Sequence, residues 1–257
     1  MPHVITLCYI HVPGDTVHNA MEDRFLESYK ANPPGCEHET IIICQGAEPS
    51  QADRDRFSRG IHQLKFIPRD QTGLDIGGYM DVAPFVKTDC MLCCGGSTTV
   101  LRAGWMARMQ EAWDKHGPGM YGSLSSYQVR PHFNTTGFWL TPDMLLSYPH
   151  KMITTPDRYE FEHGEGALWW RLHQQGHPCK LVTWCGEYDW PEWRKPDNIS
   201  CRGDQSNCLT WFRINYIFDH HSKHSLGDRN NLMYLTDAHI LDPKFRYPTW
   251  EQSLSGG

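Results

Sequence analysis

The chain has 257 residues, a formal net charge of −6 and no apolar run near the ~20 residues that cross a bilayer. That length suits one large α/β domain, or such a domain with a C-terminal elaboration. The acidic balance argues against a general polyanion-binding surface, though it leaves room for a local basic groove.

In chain order, residues 4–10 form an apolar run that predicts a central parallel strand, entered directly from the N-terminus. No basic region, apolar core or small-residue cleavage site precedes it, so the expected compartment is the cytoplasm. Residues 18–30 fit a helix with Met21, Phe25 and Tyr29 on one face, and 41–44 a second strand. A polar helix over 51–60 and a third strand over 64–67 follow, closed by Pro68-Arg69-Asp70. Asp75 is the expected N-cap of the next helix, its carboxylate accepting free N–H groups of the first turn. Ile76, Met80 and Ala83 then share a face, and Pro84 ends or kinks the helix. Residues 91–94 predict a strand buried on both faces, closed by Gly95-Gly96, and a helix over 103–116 carries Met106, Met109 and Trp113.

This alternation is the pattern of βαβ units and a mostly parallel sheet. Ligands of such sheets bind beyond the carboxyl ends of the strands. Gly95, Gly96, Ser97 and Thr98 therefore fall at the expected site, with Gly77 and Gly78 letting a ligand approach the preceding helix. Strands over 120–124 and 137–140, a short helix starting at 141–143, a helix over 161–175 and a strand over 180–184 complete the pattern. Past Cys185 it weakens into a Trp-, Asp- and His-rich segment, so the expected division is a domain over 1–185 and an extension over 186–257 packed on it. Of the ten cysteines, Cys8, Cys44, Cys90, Cys93 and Cys94 fall in apolar strands as small hydrophobes. Cys179, Cys185, Cys201 and Cys208 lie beside several His, where a zinc site stands as an alternative that no second C-x-x-C supports.

The strand–helix order resembles the GT-A fold of nucleotide-sugar glycosyltransferases. Leu74-Asp75-Ile76-Gly77-Gly78-Tyr79 and Pro131-His132-Phe133-Asn134-Thr135-Thr136-Gly137-Phe138 are similar to segments of the rhamnan-synthesis-type glycosyltransferase-like group. The resemblance spans about residues 1–185. It implies a GT-A-like, Rossmann-like α/β fold with a mostly parallel central sheet. The implied partners are a nucleotide-sugar donor and a glycan or other hydroxyl acceptor, a nucleic-acid acceptor being disfavoured by charge. His11 and Pro13 would lie against the donor base, and Asp70 and Asp75 would face the nucleoside. Gly95 to Thr98 stand where many such enzymes carry an Asp-x-Asp for a divalent cation; Mn²⁺ or Mg²⁺ stays open as a cofactor, with no metal ligand assigned. The family's Gly-Glu-Asp before a helix is Gly164-Glu165-Gly166 here, which moves the base role to Glu165, or to Glu162 or Glu160.

Sugar transfer needs a carboxylate to take the acceptor proton and charge stabilisation for the departing diphosphate. Glu165 and Glu162 are the expected catalytic residues, and His220, His221 and His224 the expected diphosphate contacts. His132, Trp190 and Trp193 are assigned to the acceptor, the two indoles as exposed platforms, while Trp169 and Trp170 are assigned to the core. The carboxylates also read as a solvated helix start, and the histidines as a polar loop. Two rivals stand beside this reading. A dinucleotide enzyme lacks its G-x-G-x-x-G after the first strand. A catalytically inactive GT-A-like binding protein would explain both the missing Asp-x-Asp and Gly166.

Overall fold

A computed structural model describes residues 5–96, 98–123, 125–126 and 130–194 and a short strand at 210–212. Strands β1 (Ile5–His11), β2 (His38–Gln45), β3 (Leu64–Arg69) and β4 (Cys90–Cys94) alternate with helices α1 (Thr16–Ala31), α2 (Gln51–Ser58) and α3 (Leu74–Val82). Then follow β5 (Thr98–Val100), α4 (Trp105–His116), β6 (Met120–Gly122), β7 (Ser125–Ser126), β8 (His132–Phe133), β9 (Phe138–Leu140) and α5 (Pro142–Leu146). The remaining elements are α6 (Thr155–His163), α7 (Leu168–Gln174), β10 (Cys179–Val182), β11 (Glu187–Asp189) and β12 (Thr210–Phe212).

The expected α/β fold with a mostly parallel central sheet is observed. Eight strands run in the order β11-β10-β6-β9-β4-β1-β2-β3. Strands β4, β1, β2 and β3 are parallel neighbours, β9 runs against β4 and β6, and β10 is parallel to β6. β12 pairs antiparallel with β5. Every residue of β1 is buried because helices cover both faces. Leu7 and Tyr9 pack with Phe25, Ile42 and Trp105 on one side. Cys8 and Ile10 pack with Ile76, Tyr79, Phe138 and Trp169 on the other.

Three local expectations change. Asp75 is not the N-cap of α3: that position is Gly73, in the left-handed region at φ 73° with no side-chain cap. Asp75 sits inside the first turn, where its Oδ1 accepts from the Ile76 N–H at 3.0 Å. The single helix expected over 161–175 is two helices, because Gly164 leaves helical geometry (ψ 178°) and Gly166 N–H donates to Glu160 Oε1 at 2.9 Å. Trp190 and Trp193 are not exposed. Trp193 is fully buried, with ring centroids 4.2 Å from Phe133 and 4.7 Å from Trp169, so neither indole offers a platform to an acceptor.

Candidate functional site at the carboxyl edge of the sheet

The strand order reverses beside β1, which leads to β2 and β3 on one side and has β4 on the other. A crevice at such a switch point is where open α/β sheets take their ligands. Here the turn after β4 lies at that position. Tyr9 donates its hydroxyl proton to the Gly96 carbonyl at 2.9 Å, and Thr98 Oγ1 donates to the Gly95 carbonyl at 2.7 Å. A Cβ on Gly95 would stand 2.9 Å from Thr136 Oγ1, and one on Gly96 3.4 Å from both His18 and the Ile10 carbonyl. Packing therefore leaves no room for a side chain at Gly95, while a Cβ on Gly96 would make close but ordinary contacts.

Beside the turn lies a charged constellation built from α3, α6 and the segment before β9. Arg158 Nε stands 3.1 Å from Asp75 Oδ1, and Nη2 stands 3.6 Å from Glu162 Oε1. Nη2 also donates to Thr135 Oγ1 at 3.0 Å. Thr135 thus touches the charged group while Thr136, the next residue, touches the turn. Burial pushes the Glu162 carboxyl above its usual range, and Arg158 works against that rise. The His132 and His163 rings lie 5.2 Å apart, and burial lowers both imidazoles to about 4, so both are neutral at pH 7. Facing the Arg130 carbonyl at 2.8 Å, neutral His132 carries its proton on Nδ1 and donates it. Arg130 Nη2 donates to Glu165 Oε1 at 3.3 Å, and Glu165 stands exposed in the turn between α6 and α7.

The structure thus brings together Asp75, Glu162, Glu165 and His132 among the residues singled out from sequence. The others sit elsewhere. His11 is fully buried on the α1 and α2 face, with Nδ1 2.7 Å from Glu22 Oε1 and Nε2 3.7 Å from Asp53 Oδ2. Arg56 pairs with the same Glu22. The His11 side chain is therefore a member of a buried charge network and does not face a donor base; Pro13 follows it, half-buried. Asp70 is exposed and accepts from the Thr72 N–H at 2.7 Å, closing its own turn. Gly77 faces the Thr72 carbonyl, and a Cβ on Gly78 would lie 3.2 Å from Ile10, so these glycines let α3 settle on its loop and the sheet. Ser97, His220, His221 and His224 lie outside the described residues. Sequence reasoning missed Arg158, although it precedes Glu162 by four residues, the spacing of a helical ion pair.

Among the described residues no group of three or more His, Cys, Asp and Glu is gathered that could hold a metal ion. With no carboxylate at Gly95-Gly96 either, these residues do not fit Mn²⁺ or Mg²⁺. Nor is any described helix long and apolar enough to cross a membrane. A cleft of about 610 Å³ opens elsewhere, between Thr88, Asp89, Trp113, Pro118, Asp143 and Leu146. It lies at the amino end of β4, roughly 20 Å along the strand from Gly95, and so is not the carboxyl-edge cleft expected from the sequence.

No protein-family model matches the chain, and no curated protein matches it. Among solved structures it is similar to the mannosyltransferase PcManGT from Pyrobaculum calidifontis in complex with GDP-Man and Mn²⁺, at 7% identity and TM-score 0.43 over 57% of this chain and 46% of that one. It is similar to S. aureus TarS 1–349 at 9% identity and TM-score 0.43, over 60% of this chain and 53% of that one. Against the galactosyltransferase LgtC, solved with donor and acceptor sugar analogues, the identity is 13% and the TM-score 0.40, over 53% of this chain and 58% of that one. The chain spans about half the length of these proteins. Likeness at this level says nothing of substrate.

Proposed function

We propose that the chain moves a sugar from a nucleotide-sugar donor to a hydroxyl acceptor, with inversion, at the carboxyl edge of β1 and β4. The observation that supports this best is one juxtaposition. A side-chain-free turn at the switch point is joined, through Thr136 and Thr135, to a desolvated carboxylate at the end of α6. In an inverting transfer the acceptor oxygen attacks the anomeric carbon as the bond to the diphosphate breaks, and a carboxylate takes the acceptor proton. Glu162 suits that role because burial raises its proton affinity toward working pH, while Arg158 favours its ionised form. It sits in the last turn of α6, so its backbone is fixed by a helix. Glu165, more exposed and tied to Arg130, is the second carboxylate in reach. Peptide N–H groups of the turn are the available donors for the leaving diphosphate. Because the local residues do not fit a divalent cation, no step is routed through one.

Glu162→Gln keeps the volume and removes the base. Single-turnover transfer should fall about 10²–10⁴-fold with donor affinity near wild type, while Glu165→Gln should be milder. The reverse order would move the base to Glu165. Wild-type turnover that neither substitution affects would overturn inversion by a dedicated base. Donor binding without any wild-type transfer would return the chain to the binding-protein reading.

A further inference from the structure

We propose that Tyr79 is a donor-binding residue, forming with Asp75 a subsite for the hydroxyls of an uncharged sugar ring behind the Gly95–Gly96 turn. This rests on the glycosyl-transfer reading above and deepens it.

The Tyr79 side chain is fully buried, and among the described residues its hydroxyl has no hydrogen-bond partner. Burying a hydroxyl unpaired is costly, and a phenylalanine would fill the same space without that cost. The ring packs edge-on against Phe138 at 5.9 Å, a contact that makes no use of the oxygen. The oxygen points at the proposed site. It lies 4.0 Å from where a Cβ on Gly95 would stand, and Thr136 Oγ1 lies 2.9 Å from the same point. Gly95 is buried without a side chain, so its backbone is what stands beside the Tyr79 hydroxyl and Thr136 Oγ1. Asp75 precedes Tyr79 by one helical turn, so both project from the same face of α3.

The local charge selects the ligand class. Among the described residues, Asp75 and Glu162 share the single cation Arg158, while Arg130 is matched by Glu165. His132 and His163 are neutral. An excess carboxylate repels phosphate or uronate oxygens but accepts hydrogen bonds from neutral hydroxyls. A sugar hydroxyl can accept from Tyr79 and donate to Asp75, which a phosphate oxygen cannot do. Burial and the nearby Asp75 hold the phenol well above its usual titration range, so it remains a donor.

The test is Tyr79→Phe, read by thermal melting and by calorimetric titration with UDP-glucose, GDP-mannose, UDP-glucuronate, UDP and GDP. The melting temperature should be unchanged or raised. The neutral sugar nucleotide that wild type prefers should bind about 3- to 10-fold more weakly to the variant. The corresponding bare diphosphate should bind both proteins alike, and UDP-glucuronate should bind wild type more weakly than UDP-glucose. A lower melting temperature would mean that the hydroxyl is bonded within the fold, and would overturn the proposal. So would equal sugar-nucleotide affinity in both proteins, an equal loss for the bare diphosphate, or tighter binding of the uronate. These outcomes leave glycosyl transfer standing. If wild type binds none of the five, glycosyl transfer itself fails, and this subsite with it.

Discussion

Trp193→Ala separates a core indole from a ligand platform. The ring is fully buried and lies 4.2 Å from Phe133, 4.7 Å from Trp169 and 5.2 Å from Trp190, so truncation opens a cavity among rigid aromatics that cannot easily collapse. Buried Trp→Ala changes cost about 3–5 kcal/mol, against a total stability of ~5–15 kcal/mol. At roughly 2–4 °C per kcal/mol for a chain of this size, the melting temperature should fall by about 6–20 °C. Trp193→Phe should recover most of that loss, since it keeps an aromatic ring and the indole N–H has no hydrogen-bond partner among the described residues. The assay is far-UV circular dichroism on heating, paired with transfer kinetics well below the transition. There the folded variant should keep its acceptor KM. A melting temperature within about 2 °C of wild type, with acceptor KM raised, would show that the indole meets ligand and would refute the packing argument.

Other substitutions probe the frame and the charges. Gly77→Ala drives a methyl against the Thr72 carbonyl, whereas Gly78→Ala meets only the side-chain ends of Gln45, Ile10 and Ile43 at 3.1–3.3 Å. Urea unfolding should show Gly77→Ala losing about 1–3 kcal/mol and Gly78→Ala less; equal losses would contradict the geometry. Glu187 receives Lys115 at 2.6 Å, Arg108 at 2.7 Å and His116 at 2.9 Å. Burial alone would raise its carboxyl, but these donors outweigh that and hold it at about 2. A carboxyl lowered on folding contributes stability above its ordinary value near 4.5, and loses it as pH falls toward 2. The difference in melting temperature between wild type and Glu187→Gln should therefore be widest at neutral pH and close between pH ~4.5 and ~2; a gap independent of pH would count against the clamp.

Much of this fold is written locally. The apolar runs of β1, β2 and β4 announce strands covered on both faces, and the spacing of Met106, Met109 and Trp113 announces the buried stripe of α4, because periodicity reports which side of an element leaves water. The place of the Gly95–Gly96 turn at the carboxyl end of β4 was legible because the end of an apolar run is a sequence property. What each polar side chain does there was settled only by the tertiary structure. Asp75 has the chemistry of a cap, yet it pairs with Arg158, 83 residues on, once α6 packs beside α3. His11 ends the right strand, but strand alternation turns it to the α1 face and Glu22. Trp190 and Trp193 stand in a Pro- and charge-rich segment that reads as surface, and the aromatic cluster around Trp169 and Phe133 draws them in. Gly164 splits a continuous helical pattern, which leaves Glu165 in the open and Glu162 buried. For Asp75, His11 and the two tryptophans a partner elsewhere in the chain supplies the deciding contact, whereas the break at Gly164 is made locally, by its own backbone and the Gly166–Glu160 hydrogen bond. Burial and pairing depend on that partner's position in space, which local periodicity does not encode.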